Sequence, residues 1–358
     1  MAAKTNPGNF FEDFERGRTL VHAVPRTLGE GDCALYVGLY GDRFPLHCSA
    51  EYARSLGYER ETVNDLLVFH TVFGKTVNDV SLNAVANLGY ADVRFLAPVY
   101  PGDTLRSVSE VLGKKENKSG QNGIVWVKTT GTNQRGEPVL QYCRWVMVNK
   151  RDPSRPTGAD DKPVLPKQVE PAQLPIPACL NLARYESWAA GGGAFWEDYA
   201  PGETIDHVDG MTIEEAEHTI ATRLYQNTAK VHFDALAAKS TRFGKRLIYG
   251  GHIISVARAL SFNGLENTLA ILAWNGGSHA NPTFAGDTIY ARSEVLAKAE
   301  LPGRSDIGAL RLRLCAIKNA DPTKETIALK IEKDGAESYH PNIVLDLDLW
   351  VSMPKRRA

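Results

Sequence analysis

The chain repeats itself, and nothing else in it limits the fold so strongly. Phe11-Glu-Asp-Phe14 returns as Trp196-Glu-Asp-Tyr199 at a spacing of 185 residues, while Gly102-Asp-Thr-Leu105 and Ser109-Glu-Val-Leu112 return as Gly286-Asp-Thr-Ile289 and Ser293-Glu-Val-Leu296 at 184. A register that holds through the whole repeat means one folding unit written twice, and two copies are too few for a solenoid. The sequence predicts an N-terminal domain over residues 1–151, a proline-rich linker over 152–193 and a C-terminal domain over 194–358. A chain of 358 residues is long enough for two separate cores.

Composition excludes several function classes. With 43% hydrophobic and 23% charged residues the chain reads as globular, and a formal net charge of -1 leaves no basic stripe for nucleic acid. The start, MAAKTNPGNFFEDFERG, lacks the basic-then-apolar pattern of a secretory leader, and no apolar run is long enough to span a bilayer. A cytoplasmic protein without membrane contact is expected. The five cysteines are scattered and never form Cys-x-x-Cys, so neither a disulfide framework nor a zinc site is indicated. No histidine, cysteine and carboxylate cluster has ligand spacing, so no metal and no redox cofactor are expected.

The repeat also selects candidate site residues. GDRFPLH, residues 41 to 47, sets Asp42 and His47 around a proline, which taken alone is ordinary turn chemistry. The repeat spacing puts Asn227 and His232 of QNTAKVH at the same two places in the second copy. A turn needs no histidine there, so its return marks a site. The aspartate becomes an amide, which cannot take up a proton but can still orient a water. Cys48, beside His47, carries no sign of a lowered thiol pKa and is not read as a nucleophile.

Local patterns place these motifs. Ser49 to Leu56 reads as a short helix with Ser49 as its N-cap. Leu66 to Val80 carries an apolar stripe wide enough for a buried helix, with Ile248 to Phe262, preceded by Tyr249-Gly-Gly-His252, as its counterpart. His70 and His252, taken as aligned across the repeat, read as hydrogen-bonded core histidines. Alternating residues on either side of NQRG form a long hairpin, and ALRLRLCAIKN and PNIVLDLDLWVSM repeat the pattern. Each half is α+β, with one buried helix followed by long antiparallel strands.

Gly41, Asp42, Pro45 and His47 resemble the GDxNPxH signature of the MaoC-like, type 2 (R)-specific enoyl-CoA hydratases, with Phe44 where asparagine is usual. FLAPVYPGDTL, residues 95 to 105, resembles the segment such domains carry after the buried helix. Within that family the duplicated layout, with QNTAKVH and LIYGGH, is most similar to the mesaconyl-CoA (2-methylfumaryl-CoA) hydratases. The resemblance implies a duplicated hot-dog fold, in which a curved antiparallel sheet wraps a long helix. It implies reversible hydration of an enoyl-CoA thioester without a cofactor, CoA being part of the substrate. Asp42 and His47 would grip one water and add it to a single face of the double bond.

Such chemistry needs a base, an acid and donors for the developing enolate oxygen. The N-terminus of the buried helix would supply the donors, near Val68 and Phe69 in the first half and at Gly250 and Gly251 in the second. The two glycines equally serve close helix–sheet packing. Arg43 is a candidate partner for a substrate carboxylate, and Arg242, Lys245 and Arg246 for CoA phosphates, with plain surface charge as the other reading of all four. A fused pair of hot-dog domains makes a pseudo-dimer within one chain and leaves homo-oligomerisation open. Two alternatives remain: an acyl-CoA thioesterase of the same fold, and a non-catalytic acyl-CoA-binding protein, whose Asp42 and His47 would point away from any cleft.

Overall fold

The computed structural model describes residues 4–356. The first half runs β1 (Thr19–Thr27), α1 (Glu30–Tyr40), α2 (Pro45–Cys48), α3 (Ala50–Ser55), α4 (Asp65–Lys75), β2 (Ala84–Phe95), β3 (Thr104–Glu116), β4 (Asn122–Thr132) and β5 (Pro138–Asn149). Residues 152–193 hold β6 (Asp160–Asp161) and α5 (Ser187–Ala190). The same order then returns as β7 (Thr204–Thr212), α6 (Glu215–Leu224), α7 (Lys230–Phe233), α8 (Ala235–Ala238), α9 (Gly250–Leu260), β8 (Ile271–His279), β9 (Thr288–Leu301) and β10 (Arg304–Lys318). A small hairpin of β11 (Lys330–Lys333) and β12 (Ala336–Tyr339) precedes the last strand, β13 (Ile343–Pro354).

Local chemistry explains the elements that position the site. Pro45 opens α2, where its missing N–H costs nothing, and the Ser49 hydroxyl caps α3 by accepting from Tyr52 N at 3.1 Å. Asn64 caps α4 through Oδ1, 2.8 Å from Leu66 N. Both long helices are buried almost end to end, Leu66–Lys75 in α4 and Gly251–Leu260 in α9, because the sheet curls around each of them. At the NQRG turn, Asn133 Oδ1 accepts from Arg135 N at 3.0 Å and Glu137 N at 3.1 Å, and Gly136 takes the left-handed conformation at φ 78°.

Each half forms an antiparallel sheet, ordered β1-β3-β4-β5-β2 and β7-β9-β10-β13-β8, the duplicated hot-dog arrangement expected from the sequence. The two sheets join where β2 pairs with β8, Ala91 opposite Gly276, so each inner edge satisfies the other. Pairs across the junction carry the repeat spacing itself. Tyr40 Oη lies 2.6 Å from Tyr225 Oη and His70 Nε2 lies 2.9 Å from Ser255 Oγ, both pairs 185 residues apart. His22 and His207 are repeated structural histidines, each bonding a serine of the neighbouring strand, Ser109 at 2.7 Å and Ser293 at 2.8 Å.

Three local expectations change. The first long helix ends at Lys75 and passes into a π-helical turn over Val77–Ser81, so the apolar stripe outlasts the α-helix. Helices α1 and α6 were not legible, and in α1 only Tyr36 and Tyr40 are buried, too few to mark a helical stripe. His70 and His252 do not align, because His70 meets Ser255 across the junction while His252 Nδ1 lies 2.8 Å from Tyr40 Oη. Both are fully buried and hydrogen-bonded all the same. The proline-rich segment also carries core residues, since Val169, Leu180 and Leu182 pack with Tyr52, Leu56 and Tyr58.

Candidate active site

The loop between α1 and α2 holds Asp42 inside the protein. Its Oδ1 accepts from Phe44 N at 3.2 Å, tightening the turn, and its Oδ2 accepts from Asn64 Nδ2 at 2.6 Å. One carboxylate thus ties the motif to the cap of α4. His47 Nδ1 lies 3.0 Å from Thr62 Oγ1, and its Nε2 is 3.9 Å from Asp65 Oδ2. Burial raises the Asp65 pKa, while the His47 charge and a hydrogen bond from Ile271 N oppose the shift. Above this group the Arg258 guanidinium stacks on the Phe44 ring at 3.7 Å, and Phe44 meets Phe262 edge-on at 5.2 Å. These three side chains pack on one another close to Asp42, whose charge acts on Arg258.

The second copy is open. A cavity of about 730 Å³ is walled by Asn227, Ala229, His232, Tyr249, Gly250 and His279 from the second half and by Phe73, Val77, Tyr90 and Arg144 from the first. Asp42 and His47 are not among its walls. The repeat accounts for the difference: Ala229 stands where the first half has Phe44, and Val77 stands where the second half has Phe262. Two large rings are absent, and the volume they would occupy is free.

Polar groups converge on this cavity. His232 Nδ1 lies 2.8 Å from the Leu247 carbonyl, which can only accept, so Nδ1 carries the proton and Nε2 keeps its lone pair. Burial pushes the His232 pKa down to about 4, so the ring is neutral at pH 7. Asn227 Oδ1 accepts from Ala229 N at 3.2 Å and leaves Nδ2 to donate. At the start of α9, Tyr249 N donates to His218 Nε2 at 2.9 Å and His252 N bonds back to Tyr249 O, while the Gly250 and Gly251 amides, in the first turn, have no acceptor among the described residues. Arg242 lines the outer wall, with Lys245 exposed nearby.

A family model described as mesaconyl-CoA hydratase matches residues 1–325. The chain belongs to the mesaconyl-CoA hydratase family. It is 57% identical to a β-methylmalyl-CoA dehydratase of Chloroflexus aurantiacus, covering 99% of this chain and 100% of the relative. It is 55% identical to a mesaconyl-CoA hydratase of Cereibacter sphaeroides, covering 98% and 100%. A solved MaoC domain dehydratase from Chloroflexus aurantiacus superposes with a TM-score of 0.94 at 56% identity, over 99% of this chain and 100% of that one. A double-hotdog protein of Mycobacterium tuberculosis shares the fold at a TM-score of 0.76 and 23% identity, over 97% and 98%. The protein is accordingly an enzyme, a hydro-lyase, with a double hot-dog fold.

Within this family member the other candidate residues divide. Val68 and Phe69 are not donors at a helix terminus. They lie a turn inside α4, Val68 N is bonded to Asn64 O at 3.1 Å, and the Phe69 ring packs on Trp274 at 4.5 Å. The positions matching Gly250 and Gly251 are Asp65 and Leu66, because α4 and α9 begin 185 residues apart. Gly250 is placed for both of its readings, since it lines the cavity and a Cβ there would lie 2.4 Å from the His279 ring. Arg43 turns outward: its side chain is half exposed, over the Phe262 ring and 3.5 Å from Asp209. Arg246 is engaged by Glu215 at 2.6 Å, leaving Arg242 and Lys245 as the freer cations of that cluster. Burial, reinforced by the Asp42 charge, lifts the Cys48 thiol to about 12, away from nucleophilic reactivity.

Sequence reasoning missed Arg144 and His279. His279 ends β8, with Nε2 3.3 Å from Tyr90 Oη. Arg144 had a readable signal: in the alternating strand QYCRWVMV it shares a face with Tyr142, Val146 and Val148, all fully buried, so a charge sits in an apolar row.

Proposed function

We propose that the enzyme adds water reversibly to mesaconyl-CoA, giving β-methylmalyl-CoA, in the cavity over His232. The observation that carries this reading is the meeting of a lone-pair imidazole nitrogen, a water-orienting amide and an unspent helix-terminal N–H around one cavity. Asn227 Nδ2 donates to the oxygen of a water. His232 Nε2 takes a proton from that water as its oxygen bonds to C3 of the acyl chain. Negative charge moves to the thioester oxygen, where the Gly250 N–H and the positive end of α9 stabilise the enolate. The imidazolium then returns the proton to C2, so both atoms of water add to one face. An imidazolium with so low a pKa gives up its proton readily. Arg242 and Lys245 at the mouth suit the phosphates of CoA.

A second reading places the chemistry at Asp42 and His47. It is favoured by the one carboxylate–imidazole pair that matches the family signature, and it requires Phe44 and Arg258 to part when substrate binds. The two readings separate in one experiment, following the conjugated thioester absorbance of mesaconyl-CoA. His232→Ala should lower kcat/KM at least about a hundredfold and His47→Ala only a few-fold. The reverse ranking would move the reaction to the first half, and release of free CoA without a hydroxyacyl product would mark a thioesterase.

A further inference from the structure

The cavity has one strongly charged side chain in its inner wall, and the free protein does not use it fully. Arg144 projects from β5 of the first half into the wall of a cavity headed by second-half residues, and it is 0% exposed. Its Nη2 donates to Thr76 Oγ1 at 2.7 Å. The Thr76 hydroxyl in turn gives its proton to Phe73 O at 2.6 Å, so its lone pairs are fixed toward the arginine. The guanidinium lies 4.2 Å over the Phe73 ring. Nε and Nη1 have no partner, and among the described residues no carboxylate pairs with this arginine, whose other neighbours are the tyrosines 90, 142 and 249.

Such an arrangement is costly for folding alone. An unpaired buried cation loses its hydration without compensation, and two unspent donors add to the loss. The side chain is nonetheless held rigidly, by a hydrogen bond at one nitrogen and an aromatic face beneath the plane. Thr76 takes only one of the two Nη2 hydrogens, so the other lies beside a free N–H of Nε or Nη1, and that edge of a fixed guanidinium in the cavity wall can give a planar carboxylate two parallel hydrogen bonds. Arg43, the alternative cation, points to solvent.

We infer that Arg144 is the receptor for a carboxylate on the acyl chain, and that it sets the preference for carboxylated over uncharged enoyl-CoA substrates. This rests on the reading of the cavity as the substrate chamber. In mesaconyl-CoA the carboxylate is attached to C3, the carbon that water attacks, so pairing it with a cation also lessens its repulsion of the incoming oxygen. The two halves then divide the work. The second holds the reacting atoms, and the first holds the distal charge.

The test compares mesaconyl-CoA with (E)-2-methylbut-2-enoyl-CoA, in which a methyl replaces the carboxylate. It adds the unreactive pair succinyl-CoA and butyryl-CoA for binding by calorimetry. Arg144→Met should lose at least about a hundredfold in kcat/KM on mesaconyl-CoA and less than about threefold on the methyl analogue. Wild type should bind succinyl-CoA at least about tenfold more tightly than butyryl-CoA, and Arg144→Met should bind the two alike. Arg144→Lys, which keeps charge without the fork, should recover part of both preferences. Equal losses on both substrates, or a succinyl preference that survives Arg144→Met, would overturn the assignment and leave the hydratase reading standing. A wild type with no preference for the carboxylated member of either pair would instead defeat the mesaconyl-CoA reading itself.

Discussion

Asp42 combines a place in the signature with two structural hydrogen bonds. Both of its oxygens are engaged, one by the turn amide of Phe44 and one by the cap residue of α4. Arg258 is the buried cation that balances it together with Asp65, and burial drives the Arg258 pKa down to about 10 against the pull of both carboxylates. Replacing Arg258 by Met removes a buried cation that acts on both carboxylates and leaves them only His47. The variant should lose about 3 kcal/mol of stability at pH 7 by urea unfolding. The deficit should narrow toward pH 4, because Asp65 already holds its proton more tightly than a free aspartate and protonation removes the repulsion. A variant as stable as wild type would show that this arginine does not balance the pair.

At the scale of elements, the N-terminus of α9 lines the cavity and the N-terminus of α4 does not. The reason lies in one position: Gly250 begins α9 where Asp65 begins α4. A glycine lets the His279 ring lie against the helix, whereas Asp65 reaches out to bond Ile271 N at 2.9 Å. Gly250→Ala would put a Cβ 2.4 Å from His279 Cε1 and 2.5 Å from Nδ1, so the ring must shift. An overpacking cost of about 1 to 3 kcal/mol is expected in unfolding experiments. Turnover should fall at least about tenfold, since the displaced ring crowds the N–H proposed to face the enolate. Unchanged turnover with the same stability loss would leave Gly250 a packing residue only.

For the molecule as a whole, histidine burial sets the acid limit of stability. Desolvation lowers the pKa of His70 to about 3, of His218 to about 2, and of His207, His232 and His279 to about 4. In the unfolded chain each would titrate near about 6.5, so between that value and the folded values the unfolded state binds more protons. Stability is therefore complete above pH 6.5 and is lost as pH falls, by up to about 1.4 kcal/mol per pH unit for each histidine. Unfolding midpoints measured from pH 8 to pH 4.5 should be flat above pH 7 and fall steeply below 6. A midpoint unchanged down to pH 5 would mean that these rings are protonated in the folded protein.

The duplication, the two buried helices, the long antiparallel strands and the pairing of His47 with His232 were legible in the sequence, because each depends on spacing, and spacing survives in one dimension; the pairing of His70 with His252 did not hold. The π turn after α4 and the shallow helices α1 and α6 were not legible: the α1 tyrosines find their partners, Ser255 and Tyr225, in the other half, and the π turn continues the α4 stripe onto β2 and β5. The site divides in the same way. Sequence named Asp42, His47, Asn227, His232 and Gly250 as the groups worth attention. Tertiary structure alone decided which of them face open space, because that depends on ring volumes brought together from distant positions: Phe44, Arg258 and Phe262 pack on one another in one copy, while Ala229 and Val77 leave the other free. Arg144 enters the second copy's cavity from the first copy's sheet, a meeting set by the pairing of β2 with β8 and absent from either repeat considered alone.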